Sequence, residues 1–68
     1  MTRIIEIINN TLILKKQVLE QELEEIINSN EGSVEDRVKK AINVLNKVSK
    51  TNNAKTTLTS YINNNNNK

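Results

Sequence analysis

No cysteine, histidine, proline, phenylalanine or tryptophan occurs in this sequence, and glycine and tyrosine occur once each, as Gly32 and Tyr61. Each absence closes off a class of chemistry. Without cysteine there is no disulfide and no thiolate metal site. Without histidine the commonest imidazole ligand and the commonest general base are missing. A single glycine cannot build a glycine-rich phosphate loop. With one aromatic residue the core has to be aliphatic, and there is no stacking platform for bases.

Further candidates for chemistry fare no better. Glu20, Glu22, Glu24 and Glu25 could in principle flank a substrate or hold a divalent cation. Their spacing is also that of an ordinary solvated helix face. The acids and asparagines around Gly32 lack the alternating ligands of a calcium loop. No catalytic, cofactor-binding or metal-ligating residue is therefore expected, and the chain reads as non-enzymatic. There is no hydrophobic run of the ~20 residues a membrane span needs, and no signal peptide is recognisable. The expectation from this is a cytoplasmic protein.

What is present is helical patterning of aliphatic residues around one break. Asn28, Ser29, Asn30, Glu31, Gly32 and Ser33 form that break. Asn and Ser side chains compete with the helix for backbone hydrogen bonds, and Gly32 can take positive φ without steric cost. Ser33 offers an N-cap hydroxyl with Asp36 three residues on, a shortened capping box. A helix stop followed at once by a helix start predicts an αα-hairpin.

The first helix is expected over about residues 3–28. Ile5, Leu12, Leu19 and Ile26 fall seven apart, with Ile8 and Leu23 filling in and Ile4 alongside, so they share one side. Lys15 and Lys16 interrupt this seam between Leu12 and Leu19. A second stripe, Ile7, Leu14 and Val18, lies about 100° away, which predicts two neighbours for this part of the helix. A strand over residues 2–8 is the competing reading, because Ile favours strands. The 4/5/7/8 spacing fits a helical face better. The second helix is expected over about 34–50, with Val34, Val38, Ala41, Ile42, Leu45 and Val48 as its stripe and Val44 off it. Beyond the turn at 29–33 and this helix, Thr51, Asn52 and Asn53 are poor helix formers. A short third helix over 54–62, or a resumption of the second, is possible because Ala54, Leu58, Tyr61 and Ile62 keep helical spacing. Residues 63–68, an asparagine-rich tail, are given no structure, so the domain is residues 1–62.

Charge divides sharply along the chain. Residues 1–36 carry three cations and eight acids, and residues 37–68 carry seven cations and no acid. One reading is a surface for nucleic acid or an acidic membrane. The simpler one is that a basic helix lies against an acidic one. With the turn near residue 31, residue i should face roughly 62 − i, which puts Glu22 opposite Lys40 and Lys15 opposite Lys47. Leu58, Tyr61 and Ile62 then fall beside Met1, Ile4 and Ile5.

Gly32, Ser33 and Val34, followed by Val38 and Ile42, resemble the junction between the two helices of ribbon-helix-helix DNA-binding proteins. The resemblance implies a groove-reading strand over residues 2–8. Its outer face would be Thr2, Ile4, Glu6 and Ile8, or Arg3, Ile5 and Ile7. Neither set suits an anionic groove, and Glu6 would oppose it.

A two-helix hairpin with an aliphatic core buries little area against a chain entropy of about 1.5 kcal/mol per ordered residue. The expected architecture is therefore all-α: a helical hairpin in a homo-oligomeric bundle, most simply an antiparallel dimer with a four-helix core. Ile5, Ile7, Ile8, Leu12, Leu14, Val18, Leu19, Leu23, Ile26, Val38, Ile42, Leu45 and Val48 are the expected interface. The expected role is a small adaptor, assembly subunit or regulator that docks on a larger protein. The alternative is a small nucleic-acid-binding regulator that uses the basic second half.

Overall fold

The computed structural model describes residues 2–66, with side chains described for 3–64. Two helices account for almost all of it: α1, Thr2–Asn28, and α2, Val34–Asn66. They pack antiparallel as a hairpin measuring 54 × 17 × 11 Å. No strand occurs among the described residues. The strand over 2–8 is thus overturned, and with it the groove-reading element that the ribbon-helix-helix resemblance implied. Local β propensity loses here because Ile5 can be buried only on a helix continuous with Leu12 and Leu19.

The turn is built as its residues predict. Gly32 has φ +80. The Ser33 hydroxyl accepts a hydrogen bond from the Asp36 amide at 3.1 Å, and the Ser33 carbonyl accepts the first helical bond from Arg37 N–H at 3.1 Å. Two residues before the bend, the Ser29 hydroxyl accepts from the Glu31 amide at 3.1 Å. Glu35 and Asp36 lie in the first turn of α2, where carboxylates oppose the positive helix end. A Cβ on Gly32 would meet nothing within 4 Å, so the constraint is conformational rather than steric crowding. Gly32→Ala is expected to cost about 1 kcal/mol through the left-handed backbone alone. Urea titration of the two proteins would measure it. Equal midpoints would mean that the turn takes a different conformation.

The second helix departs from expectation in two ways. It runs on without a break through Thr51, Asn52 and Asn53 to Asn66, so residues 54–62 continue the second helix, the second of the two readings, rather than form a short third one, and the expected end near residue 50 is overturned. It also takes in residues 63–66 of the asparagine tract; Asn67 and Lys68 of the expected tail, like Met1, lie outside the described residues. The seam explains the continuation. Arg37, Ala41, Val44, Val48, Thr51, Lys55, Leu58 and Ile62 are the buried or half-buried positions of α2, spaced alternately four and three apart. That repeat keeps one side of the helix turned to α1 along its whole length. Thr51 is buried, at 4% exposure, because its hydroxyl donates to the Lys47 carbonyl at 3.0 Å. A poor helix former is accommodated once its polar group is satisfied within the helix.

The matching line on α1 is Ile5, Leu12, Lys16, Leu19, Leu23 and Ile26. Lys16, expected to interrupt the seam, takes a place on it, half-buried. Its aliphatic stem fills the position between Leu12 and Leu19 while the ammonium reaches solvent. Leu19 and Val44 are the buried hydrophobic residues among those described, at 7% and 4% exposure. Val44, expected off the stripe, is therefore at the centre of the packed interface. The expected stripe residues Val34, Val38, Ile42 and Leu45 are exposed instead.

Candidate functional site

Two helices packed side by side leave a groove on each face of the pair, and here the two grooves differ. At about 100° per residue, the side chains flanking a helical seam fall into two sets, one on each side. On α1, Lys15 and Val18 lie to one side of the Leu12, Lys16, Leu19 line and Leu14 beyond them, while Glu20, Glu24 and Ile27 lie to the other. On α2, Lys40, Lys47 and Lys50 lie to one side of the Ala41, Val44, Val48 line, while Val38, Ile42 and Leu45 lie to the other.

The first groove runs over the middle of the hairpin and is lined by Leu12, Leu14, Lys15, Val18 and Leu19 of α1 and by Lys47, Lys50, Thr51 and Ala54 of α2. Its floor is aliphatic and its rim carries three lysines and no acid. Leu14 and Val18, each 61% exposed, stand on its α1 wall, and Ile4 and Ile8 extend the same side toward the open end. Towards the turn the same face continues through Lys47 into a polar stretch lined by Glu22, Glu25, Glu31, Arg37 and Lys40.

The second groove lies on the opposite face, near the turn, between Ile26 and Ile27 of α1 and Val34, Arg37, Val38 and Ala41 of α2. Exposed Ile42 and Leu45 continue it along α2, and Glu20 and Glu24 flank it on α1. Ile13, which belongs to neither expected stripe, is half-buried on this side.

The expected interface residues thus divide. Ile5, Leu12, Leu19, Leu23, Ile26 and Val48 lie on the seam within the hairpin. Ile7, Ile8, Leu14 and Val18 face out on α1, and Val38, Ile42 and Leu45 face out on α2, across the molecule from Leu14 and Val18. Of the open-end group, Leu58 and Ile62 join the seam, half-buried, and Tyr61 is exposed.

The charges do not pair across the hairpin as a basic helix on an acidic one would. Glu22 and Lys40 line the same stretch, at the expected level, and so do Lys15 and Lys47. Yet the one ion pair within 4.0 Å among the described residues is Lys39 with Glu35, within α2 and exposed. Such a pair contributes little. The fold instead separates charge along its length. The turn end, residues 20–40, has seven acids and three cations. The remaining described side chains have six cations and one acid.

Arg37 is the residue that sequence patterning passed over. It heads the α2 seam, and its guanidinium Nη2 donates to the Ile27 carbonyl at 2.9 Å. The last turn of α1 carries no basic residue of its own, so Arg37 supplies the cation at that negative helix end. The signal was present in the four-three repeat from Arg37 to Ile62, but a charged residue at its head hid it.

No family model, curated protein or solved structure matches the chain. No helix among the described residues is long and apolar enough to cross a membrane.

Proposed function

We propose that the protein is a protein–protein interaction module, a small adaptor, assembly subunit or regulator whose hairpin self-associates into a helical bundle and docks on a larger protein. One observation carries this reading: ten Ile, Leu and Val side chains are exposed among the described residues, and they gather mainly around the two grooves. The exposed area points the same way. The chain presents 5600 Å² to solvent, whereas a compact monomer of its mass would present about 4,400 Å². The excess of about 1,200 Å² is larger than the roughly 800 Å² that each partner contributes to a standard interface.

Light scattering on the purified protein at tens of micromolar tests this directly. The expected result is a mass well above the 7.8 kDa of one chain. A well-folded monomer would remove the proposal. The lysine-rimmed groove also favours a second reading, a surface for nucleic acid, through Lys15, Lys47 and Lys50. That groove has an aliphatic floor and neither an arginine nor an aromatic side chain to read or stack on bases, so binding should be weak, non-specific and lost as salt rises. A gel shift with tight, sequence-preferring binding at physiological salt would reverse the ranking.

A further inference from the structure

We infer that self-association is heterologous: the lysine-rimmed groove of one copy receives the glutamate-flanked apolar face of the next. This rests on the self-association proposed above and specifies its geometry. The two faces are complementary in charge. Lys15, Lys47 and Lys50 rim the first with no acid among them, and Glu20 and Glu24 flank the second, whose lining cation, Arg37, is engaged with the Ile27 carbonyl. Because a two-fold contact pairs residue i with j and j with i, a dimer that matches the apolar stretch of the first face to itself would gather the lysines of both copies, and one through the second face would gather Glu20 and Glu24 of both. Like-charge juxtaposition of that kind selects against a pairing.

The apolar positions agree with the charges. On the first face they run from Ile4 to Val18, about 21 Å of helix towards the open end. On the second they run from Val34 to Leu45, about 17 Å beginning at the turn. One stagger along the 54 Å hairpin therefore brings aliphatic side chains together and sets lysines near glutamates. The grooves open on opposite faces, so a single neighbour cannot fill both. Each copy then needs two different neighbours, and assembly continues past the dimer into a closed ring or a staggered filament.

Two exposed positions separate this from a dimer. Leu14→Glu places an acid in the first groove, where it would meet Glu20 and Glu24 of the neighbour. Ile42→Lys places a cation in the second face, where it would meet the lysine rim. Native mass spectrometry and light scattering should find the parent beyond two chains, and each variant alone should need at least roughly tenfold more protein to assemble. Mixing the two variants should restore assembly, beginning with a complex holding one chain of each, because every mixture retains one intact first groove and one intact second face. Circular dichroism follows helicity in the same samples. If either variant is unfolded alone, recovery of helix on mixing supports the inference, and failure to recover overturns it. A parent dimer that one variant preserves would overturn the heterologous arrangement and leave self-association standing. A monomeric parent would remove both.

Discussion

Leu19→Ala is expected to dissociate and unfold the protein together, in one concentration-dependent transition. Among the described residues Leu19 and Val44 are the two hydrophobic side chains brought below a tenth exposed, and the hairpin register sets them at the same level. Replacing a buried leucine with alanine costs about 2–5 kcal/mol, through lost transfer energy and the cavity left behind. Small domains have only about 5–15 kcal/mol in total, and a pair of helices with two buried hydrophobic residues belongs at the low end. The neighbourhood offers little repair, because the next seam position towards the N-terminus is Lys16, whose stem cannot close the gap without drawing its ammonium inward. If the fold is coupled to assembly, mass action makes the melting temperature rise with protein concentration. Leu58→Ala should cost less, since Leu58 is half-buried near the open end, where the hairpin frays first. Circular dichroism melts at two concentrations decide between them. A Leu19→Ala protein that melts with the parent, beside a collapsed Leu58→Ala protein, would put the core at the wrong end of the chain.

Removing the side chain of Arg37 is the second large effect expected. Its guanidinium bonds the Ile27 carbonyl at 2.9 Å, and its stem packs at the head of the α2 seam. A hydrogen bond from a charged donor contributes about 1.5–3 kcal/mol, and partial solvent exposure places this one at the lower end. Its Nε, however, is buried with no hydrogen-bond partner, which is a standing cost of the native arrangement. Arg37→Ala should therefore lose about 1.5–2 kcal/mol, and Arg37→Met should lose roughly half as much, because methionine keeps the apolar stem and removes the orphaned donor. Urea titration separates the two. If Arg37→Ala unfolds at the parent's midpoint, the contact with α1 contributes nothing, and the end of α1 is held by the turn alone.

The separation of charge along the hairpin also bears on assembly. Seven acids at the turn end and six cations beyond it give each copy a negative and a positive end. Staggered neighbours place those ends in register, whereas copies aligned flush and parallel would oppose like with like. Added salt screens such exposed charges over about 10 Å at 0.1 M, so the staggered assembly should weaken with ionic strength while its aliphatic contacts persist.

By itself the sequence determined what local chemistry controls: two helices, the break between them, and the direction of the return. Gly32, the Ser33 cap and the run of Asn and Ser act within a few residues of themselves, so their outcome does not depend on what packs nearby. The pairing level of the hairpin follows from the turn for the same reason. Which side of α2 meets α1 was decided only by tertiary packing. Val34, Val38, Ile42 and Leu45 form the more hydrophobic stripe, but it ends at Leu45, with Ser49, Asn52 and Thr56 next in line. The line through Ala41, Val44, Val48 and Thr51 reaches Leu58 and Ile62, and its small residues let the helices approach closely. A long antiparallel contact favours continuity over local hydrophobicity, and Arg37, Lys16 and Lys55 take seam positions because their stems are apolar even though their heads are charged. The stripe left over becomes the second exposed face, which is why the candidate interaction surface could not be located from either helix alone.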